Sequence, residues 1–153
     1  MTVSVDNYIK MLNKNDLIAE FNEQKRILHL SGINPINIST REDLADAFSY
    51  FAAMMEKYID DGRCYLILDL NKIIIAPDLA SDYAELGKPI LEKYLYPCGV
   101  ARYGHQITRL TVMLSHKKLP AIEPNLYATK TEAFEYIDSL IAVNKASMKL
   151  KSC

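Results

Sequence analysis

The stretch ARYGHQITR, residues 101–109, brings Arg102, Tyr103, Gly104, His105, Gln106 and Arg109 into one short segment. Its pattern reads as the end of a strand, a turn at Gly104 and the start of a helix. Exposed amides at a helix start favour an anion, and open α/β sheets gather ligands at the carboxyl ends of their strands. Arg102 or Arg109 would add a charged fork to a phosphate or carboxylate, and Gly104 would let backbone approach it closely. The rival reading makes Gly104 a simple turn and the arginines solvated charges. The full phosphate loop G-x-x-x-x-G-K-[ST] is absent. A second segment, IIIAPDLASDYAEL, runs apolar up to Pro77-Asp78 and then offers Asp78, Ser81 and Tyr83 at a strand-to-helix junction. Asp78 reads first as the cap of the helix that follows.

Other chemistries are thinner. His29, His105 and His116 are scattered, and no H-E-x-x-H motif links them. Cys64, Cys98 and Cys153 lie far apart with no C-x-x-C spacing, which suits thiols in a reducing compartment better than disulfides or zinc. There is no G-x-S-x-G elbow, and Asp60, Asp61 and Asp69 make no recognisable acid/base pair. The expectation is a protein without enzymatic activity, metal or cofactor.

Composition narrows the partners. The formal net charge is −1, far from the basic field of a nucleic-acid binder. No apolar run reaches the roughly 18 residues of a membrane span, and the start lacks the basic-then-apolar pattern of a secretory signal. A cytoplasmic protein is expected.

The elements that must position these residues follow from periodicity. LIAEFNEQKRILHL places two short apolar runs around a polar NEQK and reads as a β-hairpin. A capping box at Ser39 and Glu42 opens a helix with Leu44, Ala47, Phe48, Phe51 and Met55 on one face, stopped at Gly62. RCYLILDLNKIIIAP is apolar on both faces and suits one strand covered by helices on each side. A helix follows, with Leu79, Tyr83, Leu86, Ile90 and Tyr94 inward and Pro89 expected to bend or split it.

CGVARYG is a short strand. HQITRLTVMLSHKKL is read as a helix with Ile107, Leu110, Thr111 and Leu114 on its buried stripe, although its β-branched residues also suit a strand. EPNLYAT is the last strand, and Thr129 with Glu132 forms a second capping box for the final helix. Tyr50, Tyr58, Tyr83, Tyr94 and Tyr136 all fall in helices, where packing explains them. The fold class is α/β, a mixed, mostly parallel sheet with an N-terminal hairpin and helices packed on it. Residues 1–16 form an extension with a short helix at 5–12, residues 17–143 the domain, and residues 144–153 a basic tail ending in Cys153.

LILDLNKIIIAPDLASDYAEL and NLYATKTEAFEYIDSLI resemble the STAS-like family, the fold of bacterial anti-sigma-factor antagonists, in its divergent STAS/SEC14-like branch. There a vLvDlsgv strand precedes a helix, and an FxTxxEAxxxL element closes the domain. The resemblance spans residues 21–140. It implies a regulatory, protein-interaction module docking at the C-terminal end of the sheet, through Asp78, Ser81, Tyr83, Arg102, Tyr103, His105, Gln106 and Arg109. A homodimer is also expected, since symmetric dimers are the commonest oligomers. The SEC14-like relatives suggest the alternative of a small anionic or lipid ligand in an apolar pocket, its head held by Arg102, His105 or Arg109. The phosphorylatable members carry Asp-Ser-Ser-Gly where this chain reads Pro77-Asp78-Leu79-Ala80. Their acceptor serine falls on Leu79, which has no hydroxyl. Asp78 stands one position away as a fixed negative charge, and Ser81 two residues on.

Overall fold

In a computed structural model the chain forms a mixed α/β domain, described for residues 2–4, 17–58, 63–104, 106–116 and 125–146. The six-stranded sheet runs in the order β1 (Thr2–Ser4), β2 (Leu17–Asn22), β3 (Ile27–Gly32), β5 (Cys64–Asp69), β7 (Leu95–Tyr103), β8 (Leu126–Tyr127). β1/β2 and β2/β3 are antiparallel, whereas β3/β5, β5/β7 and β7/β8 are parallel. The expected hairpin, helix crossovers and mostly parallel sheet are therefore all present.

Two features of the sheet differ from the expectation. The apolar run 64–75 is not one strand. After Asp69 it turns and resumes as β6 (Ile73–Ile75), which pairs in parallel with β4 (Ile36–Ile38) in a separate two-stranded sheet. The segments that pair as β3/β5 thus pair again beyond a bend. The N-terminal extension is also not wholly separate, because Thr2–Ser4 adds the edge strand β1. The helix expected at 5–12 lies outside the described residues, as do Gly62 and the tail from 147 onward.

Side-chain alternation in the central strands sorts the molecule into layers. Leu28, Leu30, Cys64 and Leu66 face one side, where α1 (Arg41–Tyr58) contributes Leu44, Phe51, Met54 and Met55. The same layer takes Leu79, Tyr83 and Tyr94 from the 3₁₀ turn Pro77–Leu79 and α2 (Ala80–Tyr94), and Val112 from α3 (Gln106–His116). Ile27, Tyr65, Ile67, Ala101 and Tyr103 face the other side, against Ala133, Ile137 and Ile141 of α4 (Lys130–Ala146). β5 is buried on both faces because a helical layer covers each. No helix among the described residues is long and apolar enough to cross a membrane.

Helix ends show which local signals work. At α4 the capping box forms as expected: Glu132 N–H donates to Thr129 Oγ1 at 3.2 Å and Thr129 N–H to Glu132 Oε1 at 3.2 Å. At α1 the cap sits one residue later than Ser39, with Asp43 N–H donating to Thr40 Oγ1 at 3.1 Å. α2 continues unbroken through Pro89, whose ring and missing N–H lie on the exposed side of the helix. α4 runs past the expected boundary to Ala146, and Asn144 donates to the Tyr65 hydroxyl at 2.7 Å.

Candidate functional site

The residues singled out at the sheet end do not form one cluster. Arg102 and Tyr103 are neighbours on β7, so their side chains leave on opposite faces. Both are buried, at 3% exposure each. Arg102 lies under the α1–α3 layer, donating from Nε to the Tyr83 hydroxyl at 3.0 Å, with its guanidinium 5.8 Å from the centre of the Tyr83 ring. Tyr83 is held there by Phe48, whose ring centre is 5.6 Å away. Phe48 in turn lies against Gly87, where a Cβ would come within 3.3 Å of its ring. Arg102 is therefore a buried structural charge, and the expected open anion fork is not formed by it.

The Pro77-Asp78 junction is also rearranged. The 3₁₀ turn closes through Leu79 N–H to Ala76 O at 3.0 Å, and α2 follows with Leu79 at its N-cap and no side-chain cap bond. Asp78 is thus not the expected cap. It is exposed, with its charge in the first turn, where it complements the helix dipole. Leu79, which the resemblance sets at the acceptor position, is buried in the core at 5% exposure. Ser81 is exposed. Next to it, Arg41 of α1 pairs with Asp82 and with Glu85, the latter at 2.5 Å. Arg41 and Glu85 are exposed and Asp82 is partly so, so solvent screens the pairs; packing of Phe48 on Gly87 holds α1 against α2.

α3 carries the largest departure from the expected pattern. Its buried side is Thr108, Thr111, Val112 and Ser115, while Leu110 and Met113 are 48% and 57% exposed. The expected stripe that included Leu110 is therefore wrong at that residue. The cause is the outer edge of β6. Ile75 N–H donates to Thr108 Oγ1 at 3.0 Å, Thr108 donates to Ile73 O at 2.7 Å, and Thr111 donates to Ile75 O at 2.5 Å. The two hydroxyls stand in for a missing strand, since buried backbone groups need partners. Ser115 turns its hydroxyl to Val112 O at 2.6 Å. Polar groups inside force apolar ones outside, and α3 packs in this orientation on the turn that carries Asp78.

Gln106 is exposed in the first turn of α3, and Arg109 is half-buried with an Nε that has no hydrogen-bond partner among the described residues. His105 lies outside them. Gly104 joins β7 to α3 at φ +116°, and a Cβ there would sit 2.7 Å from Asn71 N, so the position demands glycine.

On the opposite face lies a cluster that spacing did not reveal. His29 of β3 is half-buried with Nε2 2.9 Å from the Tyr103 hydroxyl and its ring edge-on to Phe134 at 5.3 Å. Burial and the Lys130 charge hold His29 below its ordinary value. Burial, then Asp69, push the Tyr103 phenol up. His29 and Tyr103 are far apart in sequence, and only the parallel order β3-β5-β7 brings them together. Cys64 is fully buried, its thiol pushed up to about 12 by desolvation, so it offers no nucleophile.

Comparison of the sequence with protein-family models and with curated proteins finds no match in either.

Proposed function

We propose that this chain is a non-catalytic, STAS-like regulatory module that docks a protein partner through the exposed face of α3 beside the Pro77–Leu79 turn. The observation that carries the reading is the inverted helix: Leu110 and Met113 face solvent one turn apart while threonine hydroxyls fill the interior. Apolar side chains in this arrangement suit a helix-face contact, with Gln106 and Asp78 supplying a polar rim. Ser81 and Asp78 lie exposed where the partner would reach them; Leu79 in the core leaves no acceptor hydroxyl at the family position. Regulation by serine phosphorylation at that position is accordingly no part of the reading.

Native mass spectrometry of the protein isolated from its own host tests this, compared before and after denaturation. The expected result is a complex with a second protein or a second copy of the chain. The Leu110→Asp, Met113→Asp double variant should lose that complex. A monomer that releases a small anionic molecule on denaturation would contradict the reading and turn attention to Arg109, whose Nε lacks a partner among the described residues.

A further inference from the structure

Among the described residues, one helix, α4, covers the face of the sheet opposite α1. His29 points to this face from β3, a strand paired on both sides, with β2 and with β5. Its ring lies near-parallel to that of Tyr103, 19° apart, with Nε2 2.9 Å from the phenol oxygen. Phe134, near the start of α4, closes over it at 5.3 Å between ring centres. The Lys130 ammonium, one turn earlier, lies 5.7 Å from the centre of the Phe134 ring. A half-buried imidazole thus sits beneath the amino end of a helix, with a cation close by.

We propose that His29 is an acid-sensitive latch: protonation of its ring releases the start of α4, Lys130–Phe134, from the sheet. The imidazolium adds a second cation near Lys130, under helix amides that already carry positive partial charge. Half-burial keeps water from solvating it in full. β3 cannot turn the ring outward without breaking two ladders, so the element that yields is α4. Beyond Phe134 the helix stays anchored. Ile137 and Ile141 are buried, Asp138 pairs with Lys25 at 3.2 Å, and Asn144 donates to the Tyr65 hydroxyl at 2.7 Å. Opening is therefore confined to the turn that covers His29.

The groups that face His29 come from every element around it. Glu20 lies opposite on β2, and Asp69 lies two residues past Ile67, the partner of His29, on the same face of β5. Both carboxylates favour the charged ring, while burial and Lys130 oppose it and prevail, below the ordinary 6.5 of histidine. Tyr103 on β7 stays neutral, its phenol pushed up by burial. Glu132, in the same turn as Lys130, is turned to Thr129. The released state binds the proton more tightly than the closed one, so acidification below 6.5 favours release. The latch stands independently of docking through α3, which lies in the other layer.

The test is amide hydrogen exchange of the full chain between about pH 8 and pH 5, read as protection relative to the unstructured rate at each pH. Ala133 N–H, bonded to Thr129 O at 3.3 Å, reports the start of α4, because one turn off the sheet does not keep its own bonds. Leu44 N–H, bonded to Thr40 O at 3.1 Å, is the matching amide at the start of α1. The expected result is Ala133 protection that is level above 6.5 and falls below it, by about tenfold per pH unit at most. Leu44 should stay level, since its turn opens without baring His29. In His29→Gln the fall at Ala133 should vanish, and in Lys130→Gln it should shrink. A level Ala133 in the wild type, Leu44 falling in step with it, or a fall undiminished in either variant would overturn the latch.

Discussion

Arg102 shows what a buried charge demands of a single neighbour. A guanidinium at 3% exposure needs its N–H groups met, and the Tyr83 hydroxyl meets Nε at 3.0 Å. Tyr83→Phe keeps the ring and the Phe48 contact but removes that acceptor. The expected loss is about 1.5–3 kcal/mol of unfolding free energy, read from denaturant titration, because the lost bond is to a charged group. A change under about 0.5 kcal/mol, the usual range of a surface substitution, would show that Tyr83 is not needed to satisfy Arg102. The same residue shows what the sequence leaves open. In sequence Arg102 reads as an open anion ligand among polar neighbours, but strand alternation sends it inward. The strand itself was legible, whereas the face each side chain takes depends on which elements cover it.

At the scale of elements, α3 and β6 depend on each other. Thr108 and Thr111 supply the partners that β6 lacks on its outer edge. Thr108→Val strands both the Ile75 N–H and the Ile73 carbonyl, and Thr111→Val strands only the Ile75 carbonyl. Each orphaned group is expected to cost about 1–3 kcal/mol, so Thr108→Val should be the more destabilising in equilibrium unfolding. Equal and negligible effects would mean that α3 does not hold β6 by these bonds. The helix was legible in the sequence, but its buried face was not. Apolar periodicity assigns the interior to leucine, and here hydroxyls occupy it because of a strand more than thirty residues upstream. β4 and β6 are not legible for a related reason: three-residue strands leave no period to count, and Ile73–Ile75 reads as a continuation of β5. The Thr129–Glu132 box is legible because everything it needs lies within one turn.

For the whole molecule, two surfaces separate by layer. The α1–α3 layer carries the proposed docking face, and the α4 layer covers the His29–Tyr103 pair. Because His29 is held below 6.5 in the folded protein, the unfolded chain binds more protons between the two values. Stability from this group is complete above pH 6.5 and falls as pH drops through the folded value. Unfolding midpoints measured across that window should decline in the wild type, and His29→Gln should flatten the decline. Photo-crosslinking in the host cell tests docking through α3 directly. A benzoylphenylalanine is placed at Met113 on α3 or at Val143 on α4, both exposed and apolar. Docking through α3 predicts one discrete protein adduct from position 113 and none from position 143. Adducts from 143 alone, or an indiscriminate set from both, would contradict docking through α3.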